Sequence, residues 1–473
     1  MTQIETPVLI VGGSLVGLSA AMLLGHHGVP ALVVEHHRGT AIHPRAAQIT
    51  QRTMEIFRAV GIEQIVRGKS AEQFNQDGAV MAVETLAGKE VAWYISNLND
   101  GVRDVSPCER GFISQSLLEP VLKQRAAELG AELRFGTDLV SFEQDERGVT
   151  AEIRARDGGP AARVRAQYMI ACDGAHSRVR QSLGIAMRGR GSFSKSVTIY
   201  FRADVRGLLR GRNLSVIYVL NRDLRGFFRF EKPYDRGFLA VNAVGDPANP
   251  IVDVSTGLTE GSALEMVRCS LGDAAIPVEI ENVMPWEAEA STAESFRQDR
   301  VLLAGDSAHV MPPNGGFGGN TGVQDAHDLA WKLAWVLGGL AGRELLDTYE
   351  AERRPVCQAT VEQAYSRYVT RTAPQLGLDD IQPVAPDLNV ELGYLYGCAE
   401  VLADPRQTRA QVGSRAPHAW LEEGVSTLDS FGRDYVELSG GDLPPKAREA
   451  YNLAGGGRVL VRPDGFIAQR DSR

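Results

Sequence analysis

Three times along the chain a short apolar run stops at a glycine turn and gives way to helical spacing. Residues 7–11 read as a buried, β-branched strand, followed at once by GGSLVG at 12–17 and an apolar helix over 18–27. A second strand, 31–34, then ends at Glu35. Residues 168–172 form another such run, into Asp173-Gly174 and a helix carrying Arg178 and Arg180. The third and longest instance organises the chain. Residues 301–304 end at Gly305-Asp306, then come Pro312-Pro313 and five glycines between Gly315 and Gly322. From Thr321 the pattern turns helical, with Val323, Leu329, Leu333, Val336 and Leu340 on one face.

Between these units the periodicity changes. A helix start is expected with Gln115 near its N-terminus, then strands over 131–135, 139–144 and 149–154. Residues 193–244 hold strand-like runs separated by turn residues, an antiparallel sheet forming a second domain, followed by a helix over 259–271. A long helix is expected over 345–372, interrupted near Pro355, and a proline-rich linker over 374–386.

Strand, glycine turn, helix, strand and acid is the dinucleotide-binding βαβ pattern. The helix N-terminus favours a diphosphate, and Glu35 stands where it can bond ribose hydroxyls. The set at this turn is Gly12, Gly13, Ser14, Val16, Gly17 and Glu35. One departure is visible: the middle glycine of G-x-G-x-x-G is Ser14. In the third unit, Asp306 can accept from the hydroxyls of a polyol. The loop of Gly316, Gly318, Gly319 and Asn320 offers backbone N–H groups to an electron-poor ring that becomes anionic.

A net charge of −9 argues against a nucleic-acid partner. Five scattered cysteines without a C-x-x-C argue against a disulfide framework or a zinc site and suit a reducing cytoplasm. No signal peptide or membrane span is read, and no metal site.

GGSLVG with Glu35, CDGAHSRVR at 172–180 and GDSAHVMPPNGGFGGN at 305–320, in that order, resemble the single-component FAD-dependent aromatic hydroxylases, the p-hydroxybenzoate hydroxylase fold group. Within it the chain looks most like bacterial hydroxylases of polyketides, indolocarbazoles and phenols. The resemblance implies an α/β fold: a Rossmann-like FAD-binding domain (1–75, 100–188 and 275–395), an antiparallel-sheet substrate domain (76–99 and 189–274) and a short thioredoxin-like C-terminal part (396–473). That last part is either degenerate or lacks segments, since the chain between Leu438 and Arg458 is too short for such a domain. The resemblance further implies non-covalent FAD, held by Arg45, Gln115, Asp173 and Asp306 besides the first turn, with Pro313 lining the pocket near the ring. Backbone N–H groups of Gly319 and Asn320 would face the flavin, and His309 would be structural.

The implied activity is hydroxylation of an aromatic, phenolic or polycyclic small molecule with NAD(P)H and O2 through a C4a-hydroperoxyflavin, in natural-product biosynthesis, by a monomer or homodimer. Arg371, at the end of the long helix, is the candidate for favouring a phenolate; the alternative is a solvated helix-end arginine. Phe227, Phe228, Trp93 and Tyr94 are candidates for an apolar pocket. The same motifs also admit Baeyer–Villiger oxygen insertion, a dehydrogenase or reductase of the same fold, a catabolic phenol hydroxylase, or a non-catalytic FAD-holding partner.

Overall fold

The computed structural model describes residues 2–42, 48–242, 244–246, 249–252, 254, 256–453 and 457–471. Its principal elements are β1 (Thr2–Val11), α1 (Leu15–His26), β2 (Ala31–Glu35), α2 (Gln115–Glu128), β3 (Ala162–Ala171) and β4 (Met187–Arg202). They continue with β5 (Leu214–Leu220), β6 (Arg225–Glu231), β7 (Arg236–Asn242), β8 (Glu279–Ala293), β9 (Val301–Leu303), α3 (Gly318–Leu337) and α4 (Asp347–Arg371).

Val8, Leu9 and Ile10 are fully buried although consecutive residues point to opposite faces of a strand. Such a run is stable only inside a sheet covered on both sides. β1 accordingly lies between β2 and β3, parallel to both, and β9 pairs parallel with β3 on its far side. The C-terminal ends of β1, β3 and β9 therefore open on one edge, and each runs into one of the three motifs. α1 and α3 bury their apolar faces in the same core.

The second sheet contains β8, β4, β7, β6 and β5 in that spatial order, extended by Ala79–Val83 and Glu90–Ile95. One of its faces packs Val197, Ile199, Phe201, Phe228, Phe230, Leu239 and Val241 against the helix Glu260–Leu271. β8 pairs with β4 along most of its length, although the boundary at 275 had assigned it to the cofactor domain. Its polar, proline-containing sequence hid it, because much of this strand is only half-buried.

α4 runs through Pro355 without interruption. Proline removes one backbone hydrogen bond, but Arg353 on one side and Val356 and Cys357 on the other are buried at 1% exposure or less, which anchors both halves. α3 begins at Gly318, three residues before the expected start, because glycines tolerate the first turn once its N–H groups are set aside for another use.

The short C-terminal part is an antiparallel sheet of Val436–Ser439, Arg458–Val461 and Ile467–Asp471 with one helix, Pro445–Ala450. Its attachment combines aromatic packing of Phe466 on Tyr396 and of Tyr435 on Trp331 with ion pairs. Arg462 reaches Asp328 of α3 at 3.0 Å and Glu352 of α4 at 2.6 Å, and also pairs with Asp464. Lys332 bonds the same Asp328 and Glu352 at 2.8 and 2.7 Å. Arg415 pairs with Glu55 at 2.5 Å, both nearly buried. Among the described residues no helix is long and apolar enough to cross a membrane.

Three carboxylates thus face two cations at the Arg462 junction. Arg462→Met is expected to cost about 3–5 kcal/mol, because it strands buried charge. Arg458→Met, in an exposed pair with Glu437, should change nothing measurable. Denaturant unfolding of the two variants beside the parent chain checks this.

Candidate functional site

Two helix N-termini meet at one place. Val16 in the first turn of α1 sits against both Gly305 and Gly322: a Cβ built on Gly322 would lie 2.5 Å from Val16 Cγ2 and 3.0 Å from Gly305 Cα. A Cβ on Gly17 would fall 1.9 Å from Gly12 O. Gly305 and Gly322 are therefore required by the contact between the two motifs, and Gly17 by the tight turn within the first.

At the first turn, Gly13 N–H donates to Glu35 Oε2 and His37 N–H to Glu35 Oε1, each at 2.6 Å. Glu35 is thereby fixed, and each oxygen keeps a second lone pair for a hydroxyl. Gln115, at the start of α2, donates from Nε2 to Ser14 Oγ at 2.8 Å. Asp173 Oδ2 accepts from Val179 N–H at 3.1 Å, while its buried Oδ1 has no partner among the described residues. Arg180, from the same motif, donates to Ser307 O and so ties the second unit to the third. Arg45 lies outside the described residues.

In the third unit Asp306 is exposed in the turn Gly305–Ser307. Pro313 is exposed, and its carbonyl accepts from Gly316 N–H at 2.9 Å. Asn320 does not present its side chain to a ligand. It accepts from Thr50 N–H and donates to Gln48 O and Gly316 O, clasping the strand Gln48–Ile49 to the glycine loop. The first bond of the α3 ladder runs from Thr321 N–H to Phe317 O, so the N–H groups of Gly318, Gly319 and Asn320 precede it. An orphaned buried carboxylate oxygen, two helix starts ahead of their ladders and an exposed Asp306 suit a ligand that joins a diphosphate, a polyol and a ring. The residues fit FAD.

His309 is structural in form. Its Nε2 lies 2.7 Å from Asp325 Oδ2, which also accepts from Gly305 N–H, while Arg353 Nε holds Asp325 Oδ1 at 2.8 Å. Burial would raise the Asp325 carboxyl, but His309 and Arg353 outweigh it and hold it well below the usual range. His309, Asp325 and Cys357 come within 4.8 Å of one another, a spacing open to a metal ion. The Arg353 guanidinium already supplies the positive charge there.

The second sheet turns an aromatic belt away from its own core. Tyr94, Tyr218, Phe227, Phe238 and Tyr200 follow one another at ring separations of 5.8 to 6.0 Å. Arg371 lies over Tyr94, 5.7 Å from its centroid, at one end of the belt. Of the four expected pocket aromatics, Tyr94 and Phe227 belong to it. Phe228 points into the opposite core, and Trp93 is 49% exposed on the edge strand.

Two residues of this region had not been anticipated. Arg229 on β6 shares Phe227's face and is sandwiched between Phe74 at 4.6 Å and Phe112 at 4.5 Å. Its Nε has no hydrogen-bond partner among the described residues. Burial pushes its guanidinium down to about 9, opposed by Glu231. An arginine inside GFFRF, in phase with Phe227, was the available signal. The other is Glu119, buried at 1% exposure and one helical turn beyond Gln115.

The model of an FAD binding domain family matches residues 5–364. The chain is 49% identical to a 4-methyl-5-nitrocatechol 5-monooxygenase of a Burkholderia species, over 99% of this chain and 94% of that protein. It is 40% identical to a putative polyketide hydroxylase of Streptomyces halstedii, over 98% and 93% respectively. Among solved structures, a ternary complex of aklavinone-11 hydroxylase with FAD and aklavinone superposes with a TM-score of 0.92 at 32% identity, covering 100% of this chain and 96% of that one.

Gly322→Ala is expected to cost about 1–3 kcal/mol through overpacking against Val16 and Gly305, and to shed FAD during gel filtration. Gly318→Ala, whose Cβ would meet Met311 Cγ at an ordinary 3.6 Å, should keep it. The absorbance ratio of flavin to protein in each purified variant decides.

Proposed function

The chain belongs to the FAD-binding-domain family, and from that premise we propose that it is a FAD-dependent monooxygenase hydroxylating a phenolic ring, with a substituted catechol as its substrate class. The observation that carries the substrate reading is Arg229. A buried guanidinium with stacked faces and an unpartnered Nε asks for an anion. It adjoins the cofactor loop: Phe112 pairs with Gln48, and a Cβ on Gly316 would touch Gln48 at 3.0 Å. An ionised phenol supplies the anion and is the form of the ring that reacts fastest with an electrophilic oxygen.

When bound, FAD supplies the redox chemistry, taking a hydride from NAD(P)H and activating O2 so that one oxygen atom enters the ring and the other leaves as water. The protein holds and polarises. Glu35 would take the ribose, the α1 start the diphosphate with Gln115 bracing Ser14 at that turn, and Asp306 the polyol chain. Asp173 offers Oδ1, and Arg45 is a further FAD ligand. N–H groups at the α3 start favour negative charge on the ring they face. Pro313 lines the ring's surroundings, and the aromatic belt keeps water from the oxygen-transfer step. Arg229 orients the phenolate, and Arg371 closes the far end of the belt.

The three-part division of the chain is retained, with β8 moved to the substrate sheet. Five cysteines without a disulfide among them suit a reducing compartment, the cytoplasm. A polycyclic phenol is the second reading, favoured by the length of the belt, whose five rings reach from the edge strand to β4.

Labelled O2 supplied with 4-methyl-5-nitrocatechol, and separately with a polycyclic phenol, should give a product carrying one labelled atom per NAD(P)H consumed. NAD(P)H consumed in step with substrate and no label in product would move the chain to the dehydrogenase reading. Arg229→Met should raise KM for the phenol about 10- to 100-fold, the worth of a hydrogen bond to a charged group, at undiminished flavin content. Asp306→Ala should instead lose flavin, by about 1.5–3 kcal/mol of binding, as read by fluorescence titration of the deflavinated protein.

A further inference from the structure

Serine at a helix N-cap ordinarily turns its hydroxyl back to accept from the N–H of the second or third helical residue. Ser14 is the N-cap of α1 and makes no such bond. Its hydroxyl donates to Glu119 Oε1 at 2.5 Å. The same oxygen accepts from Gln115 Nε2 at 2.6 Å, and Glu119 Oε2 accepts from Ala41 N–H at 2.6 Å. A buried carboxylate thus gathers three neutral donors, from the first glycine turn, from α2 and from the loop after β2.

The consequence falls on α1. Leu18 N–H makes the first bond of its ladder, to Ser14 O. The N–H groups of Leu15, Val16 and Gly17 therefore stand ahead of it, where an anion is received. A self-capping Ser14 would occupy one of them.

We propose that Glu119 is a positioning residue for FAD: it draws the Ser14 hydroxyl off the helix axis and so keeps the start of α1 open to the diphosphate. The proposal rests on reading this turn as the diphosphate site. It accounts for a serine where the dinucleotide fingerprint has glycine, since the hydroxyl has an acceptor that parks it. Glu119 touches no cofactor atom in this account and acts through Ser14.

A double-mutant cycle on deflavinated protein tests it, with the FAD dissociation constant from fluorescence titration and the melting temperature of the FAD-free chain as readouts. Glu119→Ala should weaken FAD about tenfold or more, while Ser14→Gly alone stays near the parent value. Adding Glu119→Ala to Ser14→Gly should cost much less than it costs the parent, because no hydroxyl is left to cap the helix. Glu119→Gln, which keeps an acceptor, should recover part of the affinity. The FAD-free melting temperature should fall by the same amount when Glu119→Ala is made in either background, because Ala41 N–H and the Gln115 amide lose an acceptor in both. An equal loss of affinity in both backgrounds, or no loss in either, overturns the proposal and leaves Glu119 a packing residue. Should Glu119→Ala not fold, the cycle run with Glu119→Gln decides the same question by the same coupling. A parent chain that fails to bind FAD would instead remove the diphosphate reading itself.

Discussion

Two helix starts have to reach one place with only the Val16 side chain between them, and most of the architecture follows from that. The contact among Val16, Gly305 and Gly322 leaves no room for even one added methyl group. It brings the strand ends that precede α1 and α3 to the same sheet edge, which the parallel order β9, β3, β1, β2 makes possible. The N–H groups ahead of two helical ladders then lie near one another, and each helix start favours negative charge. A fold that missed this contact would still have a core but would lack a seat for a polyanionic cofactor.

Part of the buried polar network surrounds that contact. Asp325 on α3 receives Gly305 N–H, His309 and Arg353, and so links the third motif to α4 in one hydrogen-bonded group. Arg180 bonds Ser307 O and adds the second motif. Further out, Arg462 and Lys332 join α3 and α4 to the C-terminal sheet through Asp328 and Glu352. Each of these charges would be costly alone and is tolerated because it is paired. The C-terminal sheet is thereby tied to α3, the helix that follows the glycine loop, and to α4.

The local units were legible because each follows a short-range rule. The βαβ pattern, the acid that ends β2 and the glycine loop before α3 could each be read from runs of about thirty residues or fewer. What escaped depends on long-range contacts. β8 was hidden because a half-buried strand does not alternate cleanly. The Asn320 backbone N–H stands ahead of the α3 ladder as the glycine loop implies, but the clasp its side chain makes to Gln48 and Gly316 could not be read from the sequence. Glu119 lies 105 residues from Ser14, and only the fold brings them together. Arg229 was detectable as a charge in an apolar strand, but the two rings that enclose it come from segments more than a hundred residues earlier.

The second sheet gives its strands two separate duties. On β6, Phe228 and Phe230 build the core while Phe227 and Arg229 face the other side of the sheet, toward Phe238, Phe74 and Phe112. Alternation along the strand thus divides foldability from selectivity residue by residue. A lineage can exchange the outward set, ring by ring, while the inward set and the cofactor seat remain untouched. Because Phe74, Phe112 and Tyr218 form a small core of their own on that side, with Phe227 packed against it, such exchanges have to conserve volume, and laboratory evolution of this sheet would proceed by volume-conserving swaps.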